Sequence, residues 1–245
     1  MYYLNMKLKK IYKLIFFVQF LALSHIAKSQ FFIGFEIGIT QNHLNTYIKN
    51  RVFTNNKNGV GYSFGFPLQY RINSWLSINS NLNFSEKKYS WVRTGTFRGV
   101  YQIFANNYIQ LPLLANMSYG NKKIQGFINA GGYVGYWMYG RVKGTVPDIF
   151  NITDSTNASG QTLQSFGLST YNQKYTFNSN IDNRIEFGWV VGLGMNYKLA
   201  NSYSFFTEII YYQALTDQQK KYTINQIPQH NQTFIFSIGV LYSFK

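Results

Sequence analysis

From Phe31 onward, apolar residues recur at every second position over segments of about ten residues, each bounded by turn-forming residues. In the first segment Phe31, Ile33, Phe35, Ile37 and Ile39 share one face, while Gly34, Glu36, Gly38 and Thr40 share the other. A side-chain period of two predicts a strand. The second segment sets Val60, Tyr62, Phe64, Phe66, Leu68 and Tyr70 against Gly61, Ser63, Gly65, Gln69 and Arg71. The third sets Leu76, Ile78, Leu82 and Phe84 against Ser77, Asn79, Asn81, Asn83 and Ser85, and only Ile72-Asn73-Ser74 lies between the two, which predicts a tight hairpin. In the fourth, Ile109, Leu111, Leu113 and Met117 oppose Gln110, Asn116 and Ser118. The fifth, residues 124–141, alternates Ile128, Ala130, Val134, Tyr136 and Met138 with Asn129, Gly131 and Gly135. The sixth places Ile185, Phe187, Trp189, Val191, Leu193 and Met195 opposite Arg184, Glu186, Gly188, Gly192, Gly194 and Asn196. The seventh, residues 203–213, has the least clear polarity, because Phe206 and Ile210 share a face with Ser204 and Glu208. The eighth sets Phe234, Phe236, Ile238, Val240, Tyr242 and Phe244 against Thr233, Ser237, Gly239 and Ser243.

Connections alternate between long (41–58, 86–107, 142–183 and 215–231) and short (near Asn73, Asn121 and Ala200). An even number of strands with short turns at one end and long loops at the other predicts an all-β fold, an eight-stranded antiparallel up-and-down transmembrane β-barrel. A soluble ligand-binding barrel of lipocalin type shares the strand number and the alternation, with its apolar face inward. The Gly-, Asn- and Ser-rich face suits the interior of a narrow barrel, and the aromatic face is too bulky to fill it, which favours lipid outside. Tyr70, Trp75, Tyr119, Tyr197, Tyr203 and Tyr242 fall near the short turns, and Trp137, Tyr139, Trp189 and Tyr211 nearer the long loops, as boundary aromatics do. Pro112 cannot donate to a ladder, so a bulge or seam is expected there.

The first residues differ in kind. Lys7, Lys9, Lys10 and Lys13 lead into an apolar run and then Ala27-Lys28-Ser29, the form of a cleavable signal peptide. Residues 1–29 are assigned to it and 30–245 to the barrel, with Met6 an equally good start. An uncleaved anchor helix would need about twenty apolar residues, twice what is present. The remaining chain is still basic, since the eight acidic residues of the whole chain all lie beyond residue 29 and five of the 23 basic ones lie before it. A basic balance also suits nucleic acid, but an exported chain meets anionic headgroups, so no nucleic-acid partner is expected. Cysteine is absent, and aromatic residues reach 19% against 13% charged, an unusual ratio for a soluble domain.

Asn107-Tyr108-Ile109-Gln110-Leu111-Pro112-Leu113-Leu114 and Asn129-Ala130-Gly131-Gly132-Tyr133-Val134-Gly135-Tyr136 resemble strands of the PorT-like porin-family outer-membrane barrels of Bacteroidota. Phe187-Gly188, Gly192-Leu193-Gly194 and the closing Gly239-Val240-Leu241-Tyr242-Ser243-Phe244 are similar to further positions of that family. The resemblance runs through nearly the whole mature chain. It implies an outer-membrane location, and its namesake implies participation in protein secretion. The loop 142–183 departs from the pattern.

For catalysis the mature chain offers only His43 and His230, both in expected outer loops and without a neighbouring nucleophile, so no enzyme is expected. No ligand spacing for a metal and no phosphate-loop context is seen, and no cofactor is expected. Glu36, Arg71, Arg184, Glu186 and Glu208 are expected to project inward as an ionic network that plugs the lumen, since interior charges need partners; a gated pore lined by the same groups is the rival reading. Lys87, Lys88, Arg93 and Arg98 are expected to form a basic patch on an outer loop that contacts lipopolysaccharide phosphates or an acidic envelope partner. Phe244 resembles the terminal aromatic read by barrel-assembly machinery. The functions open at this point are a structural or adhesion role through the loops, a secretion component, and a small-solute porin.

Overall fold

The computed structural model describes residues 31–46, 53–156, 159–200, 202–224 and 226–244. The expected signal peptide lies outside them. Nine strands are present among these residues: β1 (Phe31–Thr46), β2 (Thr54–Arg71), β3 (Leu76–Arg93), β4 (Tyr101–Gly120), β5 (Ile124–Thr156), β6 (Thr162–Lys174), β7 (Ile185–Lys198), β8 (Tyr203–Ala214) and β9 (Gln229–Ser243). All pairings between them are antiparallel. Eight close a ring in the order β1-β2-β3-β4-β5-β7-β8-β9, with β9 returning to β1 from Phe32↔Ser243 to Thr46↔Gln229. β6 stands outside the ring and pairs only with the far half of β5.

The ring follows from the alternation. Phe31, Ile33, Phe35, Ile37 and Ile39 point outward and stay exposed, whereas Glu36, Thr40 and Asn42 are buried inside. The uncertain polarity of β8 resolves the same way: Phe206, Glu208, Ile210 and Tyr212 face in, and Phe205, Thr207 and Ile209 face out. The interior is therefore less uniformly polar than the sequence suggests. Phe32, Phe127, Phe206 and Leu241 form an apolar floor toward the short-turn end, and Leu114, Tyr133, Val190, Ile210, Tyr212 and Ile235 a second cluster further up. Two of the short turns are fixed by asparagine side chains: Asn73 Oδ1 accepts from the Trp75 and Leu76 amides, and Asn121 Oδ1 from the Lys123 and Ile124 amides.

At the opposite end the strands run well past the expected boundaries. Much of the expected loop 86–107 is paired β3 and β4, joined by a short turn containing a 3₁₀ segment at Gly95–Phe97, and most of 142–183 is the β5–β6 hairpin. His43 lies in β1 and His230 in β9, not in loops. Beyond hydrocarbon the outward face has no need to be apolar, so alternation fades while backbone pairing continues. The wall from β2 to β6 consequently rises higher than the remainder of the ring.

Two local irregularities matter. Tyr108 pairs with Trp137 and Asn107 with Tyr139, which leaves Met138 unpaired as a bulge. The bulge switches the inward parity of β5 from Trp137 to Gly140, and Trp137, expected at the lipid boundary, is 3% exposed inside the barrel. At Pro112 there is no bulge: the β3–β4 ladder breaks between Ser80↔Leu113 and Asn83↔Gln110 and resumes in the same register. Ser80 Oγ bridges this seam to the Pro112 carbonyl at 2.8 Å.

Candidate functional site in the barrel lumen

Alternation along β1, β3, β5 and β8 delivers Glu36, the triplet Asn79, Asn81 and Asn83, Asn129 and Glu208 to one level of the lumen. Asn81 and Asn83 donate through Nδ2 to Glu36 Oε1 at 2.6 and 3.3 Å, and Asn129 Nδ2 donates to Glu208 Oε1 at 2.6 Å. Asn129 Oδ1 accepts from Asn116 at 2.7 Å and from Asn79 at 3.5 Å. Both carboxylates are thus held by amides, and neither makes an ion pair. They line a cavity of about 50 Å³. A Cβ at Gly192 would stand 2.6 Å from Glu208 Oε1, so a residue without a side chain there makes room for the carboxylate.

Above this level lies a buried ion pair. Lys87 Nζ donates to Glu186 Oε1 at 2.5 Å, with side-chain exposures of 0% and 7%. Tyr133 donates its hydroxyl to the same oxygen at 2.7 Å, and Asn231 Nδ2 donates to Oε2 at 2.8 Å. The ammonium stands 4.4 Å from the Tyr108 ring centroid, which adds a cation–π contact in a desolvated setting. A Cβ at Gly188 would stand 2.5 Å from Tyr133 Cε1, so glycine admits that ring.

At the outer end the segments before β7 and after β8 meet. Asn183 N donates to the Gln218 carbonyl, and Lys220 N to the Ile181 carbonyl. Gln218 is buried over Tyr108, and Tyr175 donates its hydroxyl to Asp182 at 2.8 Å. Burial and the Asp182 carboxylate hold the Tyr175 phenol above its usual range. Tyr89, Trp91, Phe104, Trp137 and Tyr175 border a cavity of about 180 Å³ beside these segments.

Of the expected ionic network, Glu36, Glu186 and Glu208 face the lumen, but two arginines do not join them. Arg71 lies at the short-turn mouth with its guanidinium 4.6 Å from the Phe32 ring. Arg184 precedes β7, donates to the Trp137 and Met138 carbonyls at 3.0 and 2.9 Å, and stacks near Phe177. The cation that does enter, Lys87, was expected in the outer basic patch. Its place was legible, since Ser77, Asn79, Asn81, Asn83, Ser85 and Lys87 share one parity. The other three have local partners. Lys88 pairs with Glu86 at 2.7 Å, Arg93 donates to Thr54 at 2.8 Å, and Arg98 closes the 3₁₀ turn.

His43 Nδ1 contacts Asn58 Oδ1 at 2.7 Å and His230 Nδ1 the Thr216 carbonyl at 3.1 Å. Among the described residues no cluster of three or more potential metal ligands occurs. Phe244 is half exposed, with its amide donating to the Phe31 carbonyl at 3.1 Å.

Residues 23–219 match the family model described as outer membrane protein beta-barrel domain. The chain belongs to this family. Family membership places the ring in the outer membrane, where barrels carry their short turns on the periplasmic side and their long loops outside. Among solved structures the chain is similar to OprG from Pseudomonas aeruginosa, at 11% identity over 89% of this chain and 97% of that one, with a TM-score of 0.47. It is also similar to Neisserial surface protein A, at 10% identity over 87% and 97%, TM-score 0.44. A third is Ail, the attachment invasion locus protein of Yersinia pestis, in complex with the heparin analogue sucrose octasulfate, at 12% identity over 88% and 99%, TM-score 0.38. No curated protein matches the chain in sequence.

Proposed function

We propose that this outer-membrane barrel is closed to solutes and acts at its outer face, as a structural or adhesive surface protein. The observation that carries the reading is the occupation of the lumen by side chains, with the Lys87–Glu186 pair buried above asparagine–carboxylate tiers that border a cavity of about 50 Å³. An eight-stranded ring is just wide enough for side chains to fill. The outward investment points the same way, because β5 and β6 continue pairing to Thr156↔Thr162, far beyond the nine to eleven residues or so that a strand needs to cross lipid. Lys88, Arg93 and Arg98 remain at the outer end as contacts for lipopolysaccharide phosphates or an acidic envelope partner.

Planar-bilayer recording tests closure. The expected result is no steady unit conductance for the purified protein, and a reproducible open level sensitive to Glu186→Gln would overturn it in favour of a small-solute porin. Charge reversal of Lys88, Arg93 and Arg98 together is expected to weaken lipopolysaccharide binding, and unchanged binding removes that contact from the reading. Membership of a PorT-like secretion assembly is distinguished by co-purification of other envelope proteins from gently solubilised membranes.

A further inference from the structure

The periplasmic mouth has a chemistry unlike the rest of the molecule. A concavity of about 280 Å³ opens there between the short turns, and four cationic side chains line it: Arg71 from the end of β2, Lys122 and Lys123 from the β4–β5 turn, and Lys198 from the end of β7. No acidic residue lines it. All eight acidic side chains lie elsewhere: Glu36 and Glu208 at mid-lumen, and Glu86, Asp148, Asp154, Asp182, Glu186 and Asp217 toward the outer end. Both ion pairs seen among the described residues are in the outer half, so none of the four cations has a carboxylate partner there.

The wall beneath them is built to donate. Ser202, Ser204 and Ser243 contribute hydroxyls, and Gln69 and Gln125 contribute amides. Phe32 and Leu241, members of the apolar floor, line its inner end. Arg71 is braced from within the concavity by its cation–π contact with Phe32, whereas Lys123 Nζ stands 5.5 Å from the Tyr197 ring, which lies on the outward parity of β7.

We propose that this periplasmic vestibule is a binding site for a multivalent, phosphate-bearing anion. Four unpaired cations around one concavity are poorly neutralised by a single carboxylate and well neutralised by a diphosphate or phosphate ester. Arginine and lysine together supply the forked and point-charge donors that phosphate oxygens accept. The volume is near the lower end for small-ligand sites, about 300 Å³, and suits a headgroup-sized anion. Such an anion comes either from solution in the periplasm or from the headgroup of an inner-leaflet phospholipid. The chemistry is the same, and the source is separable by experiment.

The test uses the folded protein in zwitterionic detergent, titrated with pyrophosphate and followed by calorimetry and by amide chemical shifts at the short turns. Saturable one-to-one binding that weakens at least about tenfold in Arg71→Gln or Lys198→Gln, and that falls with rising salt, is the expected result. Lys122→Gln/Lys123→Gln lies in an exposed turn and provides a second variant whose folding is not at issue. Shifts no larger with pyrophosphate than with acetate, or binding indifferent to all three variants, mean solvated lysines only and overturn the proposal. Repeating the titration in nanodiscs with and without anionic phospholipid assigns the source. Loss of pyrophosphate binding only in the anionic discs identifies a headgroup as the occupant, and equal binding in both identifies a soluble anion. Conductance is not read in this experiment, so its failure leaves the closed-barrel reading untouched.

Discussion

Replacing Lys87 by Met is the sharpest probe of the plug. At 2.5 Å and an effective dielectric constant of about 20, the attraction between Lys87 and Glu186 is about 7 kcal/mol. Desolvation of the two ions, several kcal/mol each, offsets most of it. The pair therefore adds little net stability, but its halves cannot be separated. In Lys87→Met the Glu186 carboxylate keeps only Tyr133 and Asn231 as donors, in a setting from which water is excluded. The expected loss is about 3–5 kcal/mol of unfolding free energy, the usual cost of leaving one buried charge uncompensated. Glu186→Gln leaves the ammonium without a counter-charge, supported by an amide oxygen and the Tyr108 and Tyr133 rings, at similar cost. The double variant Lys87→Met/Glu186→Gln removes both charges and is expected to recover to within about 1–2 kcal/mol of the parent. Equilibrium unfolding in urea with lipid vesicles, read by tryptophan fluorescence, measures all three. A Lys87→Met cost below about 1 kcal/mol, or single costs that simply add in the double variant, would refute the reasoning.

Glu208→Gln is expected to change stability by less than about 1 kcal/mol, because the carboxylate has an amide partner but no cation and the glutamine retains an acceptor for Asn129; the same unfolding assay checks it. Gly188→Val sets side-chain carbon against the Tyr133 ring and the Gln213 carbonyl, with an expected cost of about 1–3 kcal/mol visible in the same transition. Shortening the β5–β6 hairpin between Pro147 and Leu168 should leave ring assembly intact, as judged by the heat-dependent gel shift of the folded barrel, and loss of the folded band would show that the wall supports the ring. Phe244→Ala is expected to lower the yield of assembled barrel in the outer membrane, and an undiminished yield would remove the terminal aromatic as an assembly signal.

The lipid-spanning part of the ring is legible in the sequence because hydrocarbon imposes a strict outward rule: Phe31 to Ile39 and Phe234 to Phe244 show it without interruption. The outer halves of the strands obey no such rule. Thr54-Asn55-Asn56-Lys57-Asn58 is polar on both faces yet pairs with β3 as fully as any apolar segment. Lys87 illustrates the cost of reading charge before parity. As one of two adjacent lysines it resembles a solvated loop, whereas its alternation with Ser85 and Asn83 places it in the lumen. Arg71 and Arg184 illustrate the converse. Both sit on inward-parity positions, but at strand ends, where a long side chain finds the mouth or a backbone carbonyl before it finds a carboxylate. Tyr133 and Asn231 were hidden for another reason. Their importance comes from converging on Glu186 across the lumen, a relation between positions nearly a hundred residues apart that no local pattern carries.

The unpaired Met138 has a further consequence for how this chain can change length. Along a regularly paired strand, gaining or losing one residue exchanges lumen and lipid for everything downstream, as a frameshift exchanges codons. At Met138 the count is already off by one. Its removal would leave Gly140 and Val142 directed inward as before and simply straighten the ladder opposite Asn107 and Tyr108. This spot on β5 thus tolerates the loss of one residue without turning the wall inside out, a natural junction between the membrane-bound half of the strand and its outer extension.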